Sequence, residues 1–473
     1  MKTTTHGALS RLHKFAGVIV APFLIVAALS GFFYALAPTL EQWVYHDEIT
    51  ATAQGSPRSL DEQIAAAQRQ HPGAAVAAVE ASEDPEETTR VLFTDPDAKS
   101  PSYTHAVFVD PVDLRITGEE QQYGGSRALP LRTWLSNGHR TLWLGEPGRI
   151  YAELAASWLG ALTIAGVYLW LKRRKKTQKK NNKALRIHAR LGSWLLPGFL
   201  FLTITGLTWS MVAGSNIGKV REELNWKEPS VATSVAEAGA GTGAGEGSGA
   251  HAGHAGHEGH AGHSGGEVTD NDVVEGAQTA LSTARSEGLT GVLRMTPPEQ
   301  AGDAWTVREG RAAYKLRSDA VAVTADGRVI DRINSADWPL AARLTSWLIQ
   351  LHMGTLFGIY SQVALAALAL GLLVISIAGL WMWWNKPRRR LPELKITPAV
   401  VAGVVIYSII APLFGASLLL FFAGDWLVRR LRPQSRSRSR SQSGTGRSNG
   451  DSGPTARPRG ESSSRIPSTV QNG

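Results

Sequence analysis

The 473 residues are enough for about three average domains. Apolar residues make up 43% and charged residues 19%, and the mean hydropathy of −0.10 averages over very unlike segments. The absence of cysteine excludes disulfides, iron–sulfur clusters, thiolate nucleophiles and cysteine zinc sites, and the net charge of +9 is concentrated in short runs.

Five apolar runs, at 15–36, 154–171, 191–212, 363–384 and 399–422, are each long enough to cross a bilayer core. A soluble enzyme is excluded. In chain order, a first transmembrane helix over 12–37 leads to a small external α+β module over 57–120. There Ser59-Leu60-Asp61-Glu62 is a capping box opening a helix to Gln70, and strands are expected at 74–80, 90–93 and 104–109. A second transmembrane helix follows over 150–171, then a basic loop over 172–187 and a third helix over 188–212. A Gly/His-rich linker covers 236–266. The second external module, 269–335, repeats the outline of the first, with a helix at 272–285 and strands at 292–295, 305–308 and 320–324. A fourth transmembrane helix occupies 359–384. The fifth, 397–423, contains Pro412 and Gly415 and reads either as one crossing or as a re-entrant hairpin. The Arg/Ser-rich tail over 434–473 has almost no apolar residues and is expected to be disordered.

Lys172 to Arg190 holds ten basic residues and no acidic one, and Lys386–Arg390 repeats the theme. Basic runs abutting membrane segments mark the cytoplasmic face, so they argue for topology rather than for nucleic acid. They place the N-terminus inside and both modules outside a plasma (inner) membrane that the chain crosses several times. The first run is longer than a signal h-region and carries a feature that recurs later, so it reads as a retained helix.

That feature is an internal repeat. Taking His13 and His188 as origins, Gly follows at +4 (Gly17, Gly192) and Pro at +9 (Pro22, Pro197). A small hydroxyl residue then precedes Gly at +18 (Ser30-Gly31, Thr205-Gly206). Trp134 lies five residues before His139 and Trp347 five before His352, and at +27 from these histidines come Gly166 and Gly379. The chain is two parallel copies of one unit: helix out, external module, helix in. The fold class is therefore a polytopic α-helical membrane protein, with a pseudo-twofold four-helix core, a fifth C-terminal helix and two external modules.

The L/I-H starts of the helices, Gly145-Glu146-Pro147-Gly148-Arg149 leading into the second, and the paired Ile164-Ala165-Gly166 and Ile377-Ala378-Gly379 stretches resemble the PepSY-associated transmembrane helix family. The resemblance covers about residues 8–395. It implies PepSY-like modules, and a likeness to iron-regulated membrane proteins and ferric-siderophore reductases that carry b-type haem. PepSY modules also occur in metalloprotease propeptides, where they act as inhibitors.

Pairing the repeated histidines by depth sets His13 with His188 inside and His139 with His352 outside. A single interfacial His is commonly just a solvated residue. Four in two symmetric pairs, together with the resemblance, point to axial ligation of two b haems, with Gly17 and Gly192 leaving room for a macrocycle edge. The expected function is electron transfer to an external ferric chelate such as a ferric-siderophore. No nicotinamide, phosphate-loop, serine-nucleophile or H-E-x-x-H motif is present, so the donor is a separate quinol or cytoplasmic reductase. Two other readings stand beside this one. The first is a haem-free membrane protein that binds or regulates extracellular proteases or peptides. The second is external Cu or Zn handling by His251, His254, His257, His260 and His263 in the linker. His6, His46, His71 and His105 have no counterparts in the repeat and read as surface residues.

Overall fold

A computed structural model describes residues 5–178, 182–234, 276–300, 302–385 and 398–431. The His-rich tract and the Arg/Ser tail lie outside these residues, as do residues 386–397 and the centre of the basic loop. By contacts the chain divides into residues 1–421 and 422–473; of the second unit, the described part is helical, with the Arg430 guanidinium over the Trp426 ring.

Among the described residues, three helices are long and apolar enough to cross a membrane, and a bent pair makes a fourth if it counts as one span. Helix α1 (Thr5–Val44) runs unbroken past Pro22 and Pro38 and carries the span Leu12–Val44. Helix α2 (His46–Ile49) is a single turn leading to the sheet. Helix α5 (Glu146–Gln178) carries a second span. The third apolar run, expected as one helix, is two, α6 (Lys183–Trp194) and α7 (Leu196–Thr208), bent by 63°. Pro197 withholds a backbone N–H there, and the next residue, Gly198, opens a face against which Leu368 packs. At the equivalent Pro22 the next residue is Phe23, stacked on Tyr151 at 4.2 Å, and the helix stays continuous.

Between the helices the chain builds one eight-stranded antiparallel sheet. Its first half is α3 (Leu60–Gln70), β1 (Val76–Ala81), β2 (Thr89–Thr94), β3 (Tyr103–Val109) and β4 (Ile116–Tyr123). The Ser59–Glu62 capping box is formed. After helix α8 (Val212–Glu223), the second half is α9 (Ala277–Ser286), β5 (Leu293–Thr296), β6 (Trp305–Glu309), β7 (Ala320–Val323) and β8 (Val329–Ile333). The order β4-β3-β2-β1-β5-β6-β7-β8 joins the two halves at a β1–β5 seam, where Val79 faces Met295 and Glu80 faces Arg294. The halves are thus not separate bodies. One core runs under both, from Leu60, Ile64 and Phe93 to Met295, Trp305 and Val321. Strands β4 and β8, which the sequence pattern did not show, form the sheet's outer edges, where few side chains need burial and polar residues discourage pairing with other chains.

Two amphipathic helices, α4 (Pro130–Thr141) and α10 (Leu340–His352), link the sheet back to the spans α5 and α11 (Ile359–Trp384). Gly148 is obligatory in the α4–α5 turn, since a Cβ there would lie 1.6 Å from the Thr141 carbonyl oxygen. The fifth apolar run is also broken. Helices α12 (Pro398–Ile410) and α13 (Pro412–Leu431) meet at Ala411, with Ser408 tight against Gly415. Their apolar stretches, Val400–Ile410 and Pro412–Gly424, are each too short to span alone. They pack on α5, with Trp158 donating to Ser417 at 3.0 Å and the Tyr407 hydroxyl donating to the Ser157 carbonyl at 2.7 Å.

At the seam, buried Glu80 accepts from Arg127 at 3.0 Å, Arg294 at 2.8 Å and Gln122 at 3.1 Å. Burial works against its charge, but Arg127 and Arg294 outweigh it and hold the carboxyl below the usual carboxylate range. A carboxylate depressed in this way stabilises the fold above its unfolded pKa and loses that contribution as pH falls through its folded value. Glu80→Gln should therefore cost roughly 3 kcal/mol at neutral pH, because Arg294 loses its carboxylate and Arg127 is left to Glu87 at 2.6 Å. It should also flatten the loss of stability below about pH 4. Detergent-solubilised protein unfolded at a series of pH values checks both.

Candidate functional site

The four repeated histidines fall into two layers. At the α1 start, His13 and His188 face one another with ring centroids 6.0 Å apart and planes at 80°. Two imidazoles bound at about 2.0 Å on opposite sides of one metal ion have centroids roughly 6 Å apart, so this spacing suits an ion held between them. At the sheet end, His139 packs on Gly31 of α1, and His352 lies among Phe201, Trp209 and Thr205. His139 and His352 are near enough to interact electrostatically. Along α1 the rise from His13 to Gly31 is about 27 Å, which sets the separation of the layers.

Three of the four rings rest on a helix glycine. The side chain at helix position i+4 leans back over the carbonyl at i, so a glycine at i+4 uncovers that carbonyl. His188 sits 3.7 Å from where a Gly379 Cβ would be and donates from Nδ1 to the Ile375 carbonyl, four residues earlier, at 3.0 Å. His13 sits 3.2 Å from the corresponding point at Gly166 and faces the Leu162 carbonyl, again four earlier. It stops short of a closed hydrogen bond, leaving Nδ1 buried without a partner. His139 rests on Gly31 with the Ala27 carbonyl beneath it and Ser30 Oγ 3.2 Å from Nδ1. His352 Nδ1 lies 2.6 Å from Thr205 Oγ1.

The hydroxyls of the sheet-end pair are placed to accept from the rings. Ser30 donates to the Val26 carbonyl at 2.8 Å and Thr205 to the Phe201 carbonyl at 2.7 Å. With the hydroxyl hydrogens so directed, the oxygens can accept from Nδ1–H, the tautomer that leaves the Nε2 lone pair free. A carbonyl at His188 has the same effect. Among the described residues, no hydrogen bond reaches Nε2 of any of the four. Fixing Nδ1 with an acceptor is how proteins orient a metal-ligating imidazole. Each ring is surrounded by protein yet keeps accessible surface, as side chains lining a cleft do.

Gly17 and Gly192 have nothing within 4 Å of an ideal Cβ, so open space adjoins both. The helices that carry the sheet-end histidines are pinned in turn. Buried Glu41 of α1 pairs with Arg132 of α4 at 3.0 Å and accepts from the Leu129 amide at the α4 N-terminus. Neither helix α4 nor α10 was visible in the sequence pattern, because each is short and half-apolar. The five tract histidines, His251 to His263, lie outside the described residues.

A family model described as the PepSY-associated TM region matches residues 10–386, most of the chain. The chain belongs to this family. No curated protein matches it. In this PepSY-associated chain the match takes in all four histidines, both halves of the sheet and every continuous span; α12 and α13 lie beyond it.

The Nδ1 acceptors give a direct prediction. Thr205→Val removes the one oxygen among the described residues that pairs with His352 Nδ1 and should cost roughly 1–3 kcal/mol, the penalty for a buried donor left unsatisfied. Thr205→Ser restores the oxygen and should recover most of the loss, read from thermal unfolding in detergent.

Proposed function

We propose that this protein is a membrane electron carrier that holds two b-type haems and reduces a ferric chelate at its sheet end. The observation that carries the reading is the arrangement of the four histidines: two layers, Nδ1 beside an acceptor at His139, His188 and His352, and a 6.0 Å separation in the layer His13–His188. A haem with two imidazole ligands supplies a one-electron couple and has no open coordination position, which favours electron transfer over oxygen chemistry. The residues of this chain contribute the rest. His13 with His188 and His139 with His352 would hold the two groups, and the open space beside Gly17 and Gly192 would admit a ring edge in the first layer.

The sheet end also suits a negatively charged acceptor. Next to the seam, a cavity is lined by Arg127, Arg294, Arg308 and Arg311, against Glu80, Glu228 and Glu309. Arg308 pairs with Glu228, and Arg127 and Arg294 share Glu80. Arg311 has no carboxylate partner among the described residues. Among the described residues, that end carries the only folded surface large enough to dock a bulky chelate. The basic flanks of α5 and α6 favour an N-terminus on the cytoplasmic side of the cell membrane, with the sheet outside and the electron donor a quinol or cytoplasmic reductase.

An absorption spectrum of the purified chain is the first test. Low-spin b-type bands on reduction support the reading, and a colourless preparation from haem-replete cells removes it. His13→Ala and His188→Ala should each abolish the same haem and halve the reduced-band intensity, leaving the other centre; equal loss of both centres would contradict pairing by layer.

Direction is tested in oriented vesicles. A ferric-siderophore supplied on the sheet side should oxidise the dithionite-reduced protein, and the same chelate confined to the other side should not. Equal oxidation from both faces would leave an electron carrier with no outward-facing reductase role.

A further inference from the structure

We infer that His71, His105 and Glu119 form a binding site for a borderline divalent cation of the Zn2+ type, on the edge of the sheet and independent of the histidine layers. His71 is the C-cap residue of α3, His105 lies on β3 and Glu119 on β4. Register explains why they meet. His105 pairs with Gln121 and Glu119 with Val107, so His105 and Glu119 are diagonal neighbours on one face of the β3–β4 ladder. That face is the one α3 covers, and the end of α3 brings His71 down beside them. The imidazole centroids are 4.7 Å apart, and His71 Nε2 and His105 Nε2 lie 3.0 and 3.1 Å from the same Glu119 oxygen. All three donor atoms fall within 4.8 Å of one another.

The twofold relation of the sheet shows what is unusual here. Across the seam Val79 matches Met295, and the ladders carry this equivalence outward through Val91 and Val307, Val107 and Val321, to Glu119 and Arg332. The C-cap residue of α9, equivalent to His71, is Glu287. The second half therefore closes this corner with an Arg332–Glu287 ion pair at 2.6 Å. The first half has three lone-pair donors in the same place. Among the described residues, no Lys or Arg reaches Glu119.

Two neutral imidazoles and one carboxylate make a donor set suited to Zn2+, Co2+ or Ni2+, and an oxygen-seeking ion such as Ca2+ would find too few oxygens. Ligands around a tetrahedral Zn2+ stand roughly 3.4 Å apart, so only a slight opening of the cluster is needed, with the fourth position left to solvent or a partner group.

The test uses the full chain in detergent with His251, His254, His257, His260 and His263 all changed to Ala, so that the tract cannot contribute. Co2+ titrated into this protein should give one equivalent of tetrahedral visible bands, displaced by Zn2+. His105→Ala should abolish the bands, and Glu119→Gln, which keeps the shape of the side chain, should weaken binding at least tenfold. His46→Ala should leave it unchanged. Absence of the bands, or bands that persist in both His105→Ala and Glu119→Gln, would overturn the assignment. Neither result bears on the haem spectrum, so this site and the proposed electron carrier stand or fall separately.

Discussion

An imidazole inside a helix bundle brings an N–H that must find an acceptor, and every mid-helix carbonyl is already used by the amide four residues on. The structure resolves this conflict by removing a side chain. Glycine at i+4 uncovers the carbonyl at i and lets a ring lie flat enough to share it, as Gly379 does for Ile375 and His188. Where the ring approaches from the sheet end, a hydroxyl one residue before the glycine serves as the acceptor instead, through Ser30 and Thr205. Gly379 and the two hydroxyls thus meet one requirement for three rings, and Gly166 brings His13 up to the Leu162 carbonyl without closing the bond.

That requirement also fixes lengths. Two layers on antiparallel helices must be the same axial distance apart on each. On α1 the interval from His13 to Gly31 rises about 27 Å, so the +18 offset spans the two layers, while the +27 offset from His139 to Gly166 also takes in the turn between α4 and α5. The seam makes the same twofold explicit outside the bundle. Because β1 pairs with β5, α4 and α10 leave a single rigid sheet and deliver His139 and His352 to one level. Glu41, gripping Arg132 and the first amide of α4, transmits that positioning back to α1.

Much of this was legible in the sequence, and the reasons are physical. His, Gly and hydroxyl residues stand out in apolar helices because each is costly or weakly helix-forming there, so coincident offsets are informative. His13 and His188 were pairable by depth for that reason. The acceptors were invisible, since a backbone carbonyl leaves no letter in the sequence; only the glycine that exposes it does. Edge strands β4 and β8 were missed because a strand with one side unpaired need not alternate. The bend at Leu195 was missed because Pro22 and Pro197 look equivalent as letters. What separates them is the neighbour, Gly198 accepting Leu368 in one case and Phe23 stacking on Tyr151 in the other. His71 and His105, with no repeat partners, looked like surface residues, and only the register of β3 and β4 brings them to Glu119.

The departures from twofold symmetry carry as much meaning as the symmetry itself. A duplicated unit keeps whatever both copies need for stability, and the shared sheet, the paired glycines and the helix-borne histidines are of this kind. Where the copies differ, packing alone does not account for the difference, because the other copy shows that an alternative closes the same corner. An Arg332–Glu287 pair does so in one half with ordinary surface charges. The other half gathers two imidazoles on one carboxylate oxygen, an arrangement in which both rings must present a proton to a single acceptor. A cation in place of those two protons would satisfy all three donors at once, which is the physical ground for treating this corner as a site rather than as a variant of the surface.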